Sequence, residues 1–334
     1  MMTQHEILNR NWKKDLWPYL PDGVRALMEH VDAYAPLEEI RIRAGAPVQL
    51  RFNGYERLLY GKNGAAPIEE EGCKVLLQRL CEQSVYAWEK ELSGGYLTLE
   101  GGYRVGLCGR FVQQEGGGPR LTDATGFNIR IARQATGAAK KALPWLVDSA
   151  GRLMSTLVVS PPGCGKTTLL RDIGRCCSYG IFGAAPARVG MVDTRYELAG
   201  CVRGVPQMDV GPRTDVLCGM GKSEGMRMMV ANMAPDILIT DEISTIGEAQ
   251  GVLDAMGCGV TVAASAHAVG AESLTHRRAL ATLLSQRMFH RIVLLGRSRG
   301  VGTVEEILDS GFCRVMEPKQ TAKEVSACFV PLLS

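Results

Sequence analysis

The chain has 334 residues, of which 46% are hydrophobic and 22% charged, so it is long enough for two globular domains. Its net charge is +3, and the first 150 residues hold 19 basic and 18 acidic side chains, which argues against nucleic acid as the main ligand. No apolar run approaches the roughly 18 residues of a transmembrane helix, and the polar start has no signal-peptide core, so we expect a cytoplasmic protein.

The first 140 residues show the patterns of a small α+β domain. Helical spacing of apolar residues covers 3–35, interrupted by Pro18 and Pro21, and a second helix is predicted over 68–91. Between these helices, apolar and polar residues alternate, and Asn53-Gly54 is a strong hairpin signal. The alternation predicts strands at 39–43, 48–52, 55–60 and 127–133 and a two-stranded hairpin at 96–112. We therefore place an N-terminal α+β domain at residues 1–140.

A glycine-rich loop lies between a predicted strand, Leu157-Val158-Val159, and a helix that starts near Lys166. In such a Walker A loop, glycines let backbone N–H groups face phosphate, the lysine reaches the β- and γ-phosphates, and the next hydroxyl binds Mg²⁺. The predicted ATP-binding residues are Ser160, Pro161, Pro162, Gly163, Cys164, Gly165, Lys166, Thr167 and Thr168, with Thr167 as a Mg²⁺ ligand. Ser160 stands where the pattern usually has glycine, and the alternative is an ordinary Gly/Pro turn before a lysine.

A second apolar run ends in two acids. Residues 236–242 read as a buried strand, so Asp241 and Glu242 emerge at its carboxyl end, where open α/β sheets bind ligands. We predict that Asp241 holds Mg²⁺ and that Glu242 accepts a proton from the attacking water; the alternative is a pair of solvated loop acids. Further strands are predicted at 188–193, 260–264 and 291–295, helices at 244–257 and 271–289, and a terminal hairpin over 303–308 and 313–316.

Other polar residues of this half are candidates for the same site. His267 follows the strand at 260–264 and suits a γ-phosphate sensor, whereas the alternative is a buried, hydrogen-bonded histidine. Residues 195–225 are predicted to form a long loop, and long loops in compact domains are usually functional. Its Arg195, Arg203 and Arg213 are candidate arginine fingers for a neighbouring subunit's nucleotide, or else members of surface salt bridges.

The order of these motifs favours one class of ATPase. Along the chain, one predicted strand separates the glycine-loop strand from the strand that ends in Asp241-Glu242. That extra strand and the Glu242 base favour a RecA-like ATPase over a kinase or a GTPase. We therefore predict an α/β fold in which a RecA-like P-loop ATPase domain with a mainly parallel sheet occupies residues 141–334, ending in the terminal hairpin.

Seven stretches together resemble a known family. They are 37–43, 101–106, 128–132, 160–172, 209–216, 224–226 and 235–243, and they occur in order between about residue 20 and about residue 330. In this order they resemble the stage III sporulation protein AA family, which is similar to the ATPases of type II and type IV secretion. The resemblance implies ATP and Mg²⁺ as ligands, a hexameric ring, a peripheral location at the mother-cell membrane, and membrane-embedded channel components as partners.

The resemblance also implies roles for two further stretches. An acidic box after the second strand corresponds to Asp193 and Glu197, although Thr194 stands where an acid is common, and we include Glu197 among the catalytic candidates. The histidine box corresponds to residues 264–267 and contains His267.

Three functions are compatible with the motifs. The first is an ATP hydrolase that energises assembly of, or transport through, a sporulation-specific channel, with catalytic candidates Glu242, Lys166, His267, Arg213, Arg195 and Glu197. The second is an ATP-gated assembly scaffold that does not require hydrolysis, which the intact Asp241-Glu242 pair disfavours. The third is a RecA-type nucleic-acid translocase, which the balanced charge disfavours.

Overall fold

A computed structural model describes residues 11–52, 55–82, 88–113, 118–131, 134–268, 270, 274 and 277–315. The chain forms two compact units that divide between Gln134 and Ala135. This division lies earlier than the boundary at 140 expected from the sequence. The reason is that the Ala139 amide donates to Asp172 Oδ2 at 2.7 Å, and Ala139 is fully buried in the core of the second unit.

The first unit is built on a six-stranded antiparallel sheet with the strand order β3-β2-β1-β6-β5-β4. In β1, apolar and polar residues alternate, so that one face of the strand lies in the core and the other does not. Ile40 and Ile42 are fully buried, whereas Arg41 Nε on the other face donates to Glu39 Oε2 at 3.1 Å. The strands are β1 Leu37–Arg43, β2 Val48–Phe52, β3 Tyr55–Leu59, β4 Tyr96–Leu99, β5 Tyr103–Gln113 and β6 Pro119–Arg130.

The helices of this unit are shorter than the sequence pattern predicted. The described part of 3–35 contains two separate helices, which confirms the predicted interruption at Pro18 and Pro21. The helix predicted over 68–91 ends at Leu80 and a short helix follows later; residues 83–87 and the Asn53-Gly54 turn lie outside the described residues. The helices are α1 Trp12–Leu16, α2 Asp22–Met28, α3 Glu70–Leu80 and α4 Glu89–Ser93, with a 3₁₀ turn at Lys62–Gly64.

The second unit contains a seven-stranded sheet with the order β13-β12-β7-β11-β10-β8-β9. Six of these strands are parallel, and β13 pairs antiparallel with β12 at one edge. The strands are β7 Thr156–Ser160, β8 Val189–Asp193, β9 Thr214–Cys218, β10 Ile237–Glu242, β11 Thr261–His267, β12 Arg291–Gly296 and β13 Thr303–Asp309. The helices are α5 Leu143–Leu146, α6 Lys166–Tyr179, α7 Lys222–Met233, α8 Ile246–Gly257 and α9 Arg278–Ser285.

The central strands of this sheet are buried on both faces, which explains their continuous apolar runs. In β7, Val158 packs into one hydrophobic cluster, whereas Leu157 and Val159 pack into another. Because β7, β10 and β11 are parallel, their polar carboxyl ends meet at one edge: Ser160 pairs in register with His267, and Ser265 pairs with Glu242. We call this the carboxyl edge, and the opposite side the amino edge.

Residues 195–225 are more ordered than the sequence predicted. Residues Thr214–Cys218 form β9, which pairs in parallel with β8, and α7 begins at Lys222. The strand was missed because β9 lies at the sheet edge with its side chains partly exposed, so it lacks the apolar run of a central strand. β13 is the outermost strand on the opposite side of the sheet from β9. The chain turns back after β13, and Leu308 forms a β-bridge with Arg314. Within the described ranges, no helix has both the length and the apolar character needed to cross a bilayer.

Candidate functional site

The glycine loop connects the end of β7 to the start of α6 and depends on two left-handed residues. Gly163 has φ 72° and Gly165 has φ 90°, conformations that favour glycine. A Cβ atom on Gly163 would lie 2.8 Å from Arg297 Nη2, and one on Gly165 would lie 3.4 Å from Gly302 Cα. The loop is therefore closely approached by the segment between β12 and β13, and it opens toward the N-terminus of α6, a favourable position for an anion.

Lys166 is buried at the first position of α6, with 7% of its surface exposed. Its ammonium lies 3.1 Å from the Ser160 carbonyl oxygen, 3.2 Å from that of Pro161 and 2.8 Å from His267 Nδ1. Burial lowers the pKa of Lys166, and the nearby Glu242 carboxylate opposes that shift. The lysine is thus held by neutral partners, which compensate a buried charge less well than a phosphate would.

His267 connects this lysine to the predicted general base. An ammonium can only donate, so His267 Nδ1 accepts from Lys166 and we assign the ring proton to Nε2. His267 Nε2 lies 3.1 Å from Glu242 Oε2. The structure therefore brings three of the predicted catalytic residues into one chain of contacts at the mouth of the glycine loop.

The other predicted acid, Asp241, already has a cation. Its side chain is buried, and its Oδ1 lies 2.6 Å from Lys222 Nζ in an ion pair. Burial raises the pKa of Asp241, and Lys222 opposes that shift. Thr167, the other predicted magnesium ligand, lies partly exposed in the first turn of α6, next to Lys166. A hydroxyl at that position suits a magnesium ion that is held mainly by phosphate oxygens.

The acidic box forms a braced loop after β8. The Asp193 carboxylate is fully buried and accepts from the amides of Glu197 and Ala199, both at 2.8 Å. From the other side, Arg171 Nη2 donates to the Glu197 carbonyl at 2.7 Å. Asp193 thus shapes the loop, while the side chains of Arg195 and Glu197 are exposed at the carboxyl edge.

Arg213 is not brought to this site. It precedes β9 at the amino edge, where its Nη1 donates to the Ser178 carbonyl at 2.7 Å and its amide donates to Ser178 Oγ at 2.7 Å. Ser178 lies near the end of α6, so Arg213 stabilises the end of that helix remote from the glycine loop. Arg213 is therefore held within its own chain at the amino edge, and its role as an arginine finger for a neighbouring subunit stays a prediction.

Two further residues at the site were not predicted from the sequence. Arg297 Nη2 donates to the Gly163 carbonyl at 3.1 Å, and Lys222 pairs with Asp241. Arg297 could have been suspected from the Gly/Arg-rich stretch 296–302 that follows a buried strand. Lys222 had no signal beyond the glycine before it, since a lysine at a helix start is usually a solvated residue.

Comparisons with known proteins agree with this architecture. A family model described as "Sporulation stage III, protein AA" matches residues 10–315. A relative from Bacillus subtilis (strain 168), stage III sporulation protein AA, is 40% identical over 292 residues, which are 87% of this chain and 93% of that protein. The described architecture and these matches agree with the family predicted from the seven stretches.

Two solved structures share the fold. The ATPase DotB from Legionella pneumophila has a TM-score of 0.54 at 14% identity and covers 82% of this chain and 77% of that one. The pilus retraction motor PilT, solved with bound ADP, has a TM-score of 0.51 at 15% identity, with 81% of this chain and 76% of that chain covered. At these identities the likeness concerns the fold alone, and it confirms the predicted fold class, a RecA-like P-loop unit preceded by a smaller α+β unit.

Proposed function

The chain belongs to the stage III sporulation protein AA family, and on that premise we propose that it is an ATP hydrolase of the secretion-motor type. The proposed role is to energise assembly of, or transport through, a sporulation-specific channel between mother cell and forespore. The observation that carries the proposal is the contact chain from Lys166 through His267 to Glu242 at the mouth of the glycine loop. The pilus retraction motor PilT, which shares the fold and was solved with bound ADP, supports a nucleotide as the ligand of this chain.

The residues at the carboxyl edge would divide the reaction between them. The loop 160–165 and Lys166 bind the triphosphate, and the ammonium exchanges its carbonyl partners for phosphate oxygens. Thr167 and Asp241 are the residues that would hold Mg²⁺, which neutralises charge on the phosphates when bound. Glu242 orients the attacking water and accepts its proton.

His267 connects nucleotide binding at the glycine loop to the position of Glu242, the proposed general base. In the structure its Nδ1 faces Lys166, while its Nε2 faces Glu242. When Lys166 turns to phosphate, Nδ1 loses its donor, and the imidazole can rearrange while its other nitrogen still holds the Glu242 carboxylate. This arrangement supports the role of γ-phosphate sensor, because the position of Glu242 then depends on what Lys166 contacts.

Assembly would complete the site. Arg195 is exposed at the carboxyl edge on the braced loop after β8, so its side chain can contact the nucleotide that a neighbouring copy binds. We propose a homo-oligomeric ring, of six subunits by analogy with secretion ATPases, peripherally associated with the mother-cell inner membrane. Its partners would be membrane-embedded components of the channel complex.

Turnover of purified protein tests the hydrolase proposal. We expect Glu242→Gln to lower ATP turnover at least about 100-fold while binding of a fluorescent ADP analogue stays within about threefold. Glu224→Gln is the matched control, since Glu224 is an exposed acid on α7 that pairs with Arg227. Turnover that survives in Glu242→Gln would remove Glu242 from the mechanism, and wild-type protein that binds no ATP would overturn the proposal.

Two further measurements separate the alternatives. The mass in solution with and without a non-hydrolysable ATP analogue tests the ring and gives its size. Rescue of sporulation by Glu242→Gln would favour the ATP-gated scaffold, and turnover that DNA stimulates with a steep salt dependence would favour the nucleic-acid translocase.

A further inference from the structure

Lys222 is a buried cation that the proposed mechanism does not use. It is the first residue of α7, and its side chain is 7% exposed. Its ammonium lies 2.6 Å from Asp241 Oδ1 and 3.6 Å from Glu248 Oε1, and it also donates to the main-chain carbonyl of Glu242. The ammonium thus donates a hydrogen bond to one main-chain carbonyl and forms ion pairs with two carboxylates, one at the end of β10 and one in the first turn of α8.

Glu248 holds the other side of the same segment. Its Oε2 accepts from the amide of Ser244 at 2.7 Å and from that of Thr245 at 3.0 Å, while the Thr245 hydroxyl accepts from the Glu248 amide in a capping box. The carboxylate that anchors the chain just after Glu242 thus also faces Lys222. Lys222 and Glu248 together fix residues 241–245 from both ends.

The backbone at Glu242 needs such support because the sheet is irregular there. The register of β10 on β11 is regular from Ile237 to Ile239 and shifts before Glu242, which pairs with Ser265. Irregularities of this kind re-aim a side chain and leave part of the hydrogen-bond ladder unmade. The Glu242 carbonyl accordingly takes its hydrogen bond from a side chain, Lys222.

We infer that Lys222 is a positioning residue for the reaction: by holding the carbonyl of Glu242 and the carboxylate of Asp241, it fixes the direction in which the Glu242 side chain faces His267 and the glycine loop. The inference rests on the proposed function, in which Glu242 activates water. Asp241 serves here as the counter-ion that allows Lys222 to be buried, since an unpaired charge at this depth would be strongly destabilising.

The test compares two variants that differ only in Lys222. Asp241→Asn removes one counter-ion and keeps the lysine, which still faces Glu248 Oε1 at 3.6 Å. Lys222→Met/Asp241→Asn removes both charges and leaves Glu248 with its donors from the Ser244 and Thr245 amides. At saturating Mg²⁺, we expect the double variant to turn over ATP about ten- to a hundredfold more slowly than Asp241→Asn, with affinity for a fluorescent ADP analogue within about threefold. Lys141→Met, which removes an exposed lysine, controls for loss of charge alone.

A second readout does not depend on turnover. Hydrogen–deuterium exchange of the amides of 243–245 should be faster in the double variant than in Asp241→Asn, while exchange of the β7 amides stays the same. Equal turnover in the two variants, equal exchange at 243–245, or loss of nucleotide affinity in the double variant would each overturn the inference. If wild-type protein does not hydrolyse ATP, the proposed function fails, and the exchange comparison still decides whether Lys222 fixes this segment.

Discussion

The two edges of the seven-stranded sheet both carry ion pairs, and they differ in how deeply those pairs are buried. At the amino edge, Arg188 and Asp236 meet at 2.7 Å with 62% and 47% of their side chains exposed. At the carboxyl edge, Lys222 and Asp241 meet at 2.6 Å with 7% and 11% exposed. The two distances are almost equal, so burial distinguishes the pairs. Water screens the exposed Arg188–Asp236 pair, whereas loss of one partner of the buried Lys222–Asp241 pair would lower the free energy of unfolding.

The amino edge also contains a recess. A cavity of about 660 Å³ lies there, lined by residues that include Asp148, Arg152, Asp236 and His290. Its ion pairs, such as Arg152–Asp148 with 78% and 30% exposure, are already solvated. At the carboxyl edge, buried charges are instead held by neutral partners or by partners that they share. A phosphate that binds there would therefore gain more binding free energy than a ligand in the cavity.

Gly163→Ala should have the largest effect of the three variants that probe this comparison. The residue has φ 72°, and a new Cβ would meet Arg297 Nη2 at 2.8 Å. Strain in the left-handed region should lower the free energy of unfolding by about 1–2 kcal/mol. Displacement of Arg297 and of the loop amides should also weaken ATP binding about tenfold, or ~1.4 kcal/mol, measured by titration with a fluorescent analogue.

Gly183→Ala is the matched control for that variant. Gly183 has φ 90°, and a Cβ there would meet no atom within 4 Å, so the backbone strain is similar and no side chain is displaced. Chemical denaturation should show similar destabilisation in both variants, and only Gly163→Ala should lose ATP affinity. Equal affinities in the two would mean that the glycine loop is not the binding element.

Arg297→Ala should have an intermediate effect. The guanidinium is exposed and donates one hydrogen bond to the Gly163 carbonyl, so it steadies the loop without being buried in it. We expect ATP affinity to fall about two- to fivefold with little change in stability. Arg299→Ala, an exposed arginine in the same segment, should leave affinity unchanged, and an equal loss in both variants would indicate general charge attraction instead.

Much of the fold followed from local patterns in the sequence. The run Leu157-Val158-Val159 is buried on both faces of a parallel sheet, and such burial selects apolar residues at every position. In the same way, Ile40 and Ile42 alternate with polar residues because only one face of β1 is inside. The edge strand β9 was not predicted, because its side chains are partly exposed. It therefore shows neither a continuous apolar run nor a regular alternation of apolar and polar residues.

The site was predictable only where its residues lie at the ends of such strands. Lys166, Glu242 and His267 each follow or end a buried strand, and parallel strands must bring those ends together. Lys222 and Arg297 reach the site from a helix start and a loop, whose positions depend on tertiary packing rather than local pattern. Arg213 lies at the amino edge instead, because a position in a long loop does not determine at which end of the sheet a side chain lies.

The smallest effect is expected at the amino edge, from Asp236→Asn. Arg188 lowers the pKa of Asp236 through a side-chain hydrogen bond, yet the pair is exposed, so its loss should change little. An asparagine can still accept from the Arg188 amide, which donates to Asp236 Oδ2 at 2.9 Å. We expect ATP affinity and turnover within about twofold of wild type and a melting temperature within about 2 °C, measured by scanning fluorimetry. A clear loss of turnover would show instead that the amino edge is coupled to the site through β10, the strand that begins beside Asp236 and ends at Glu242.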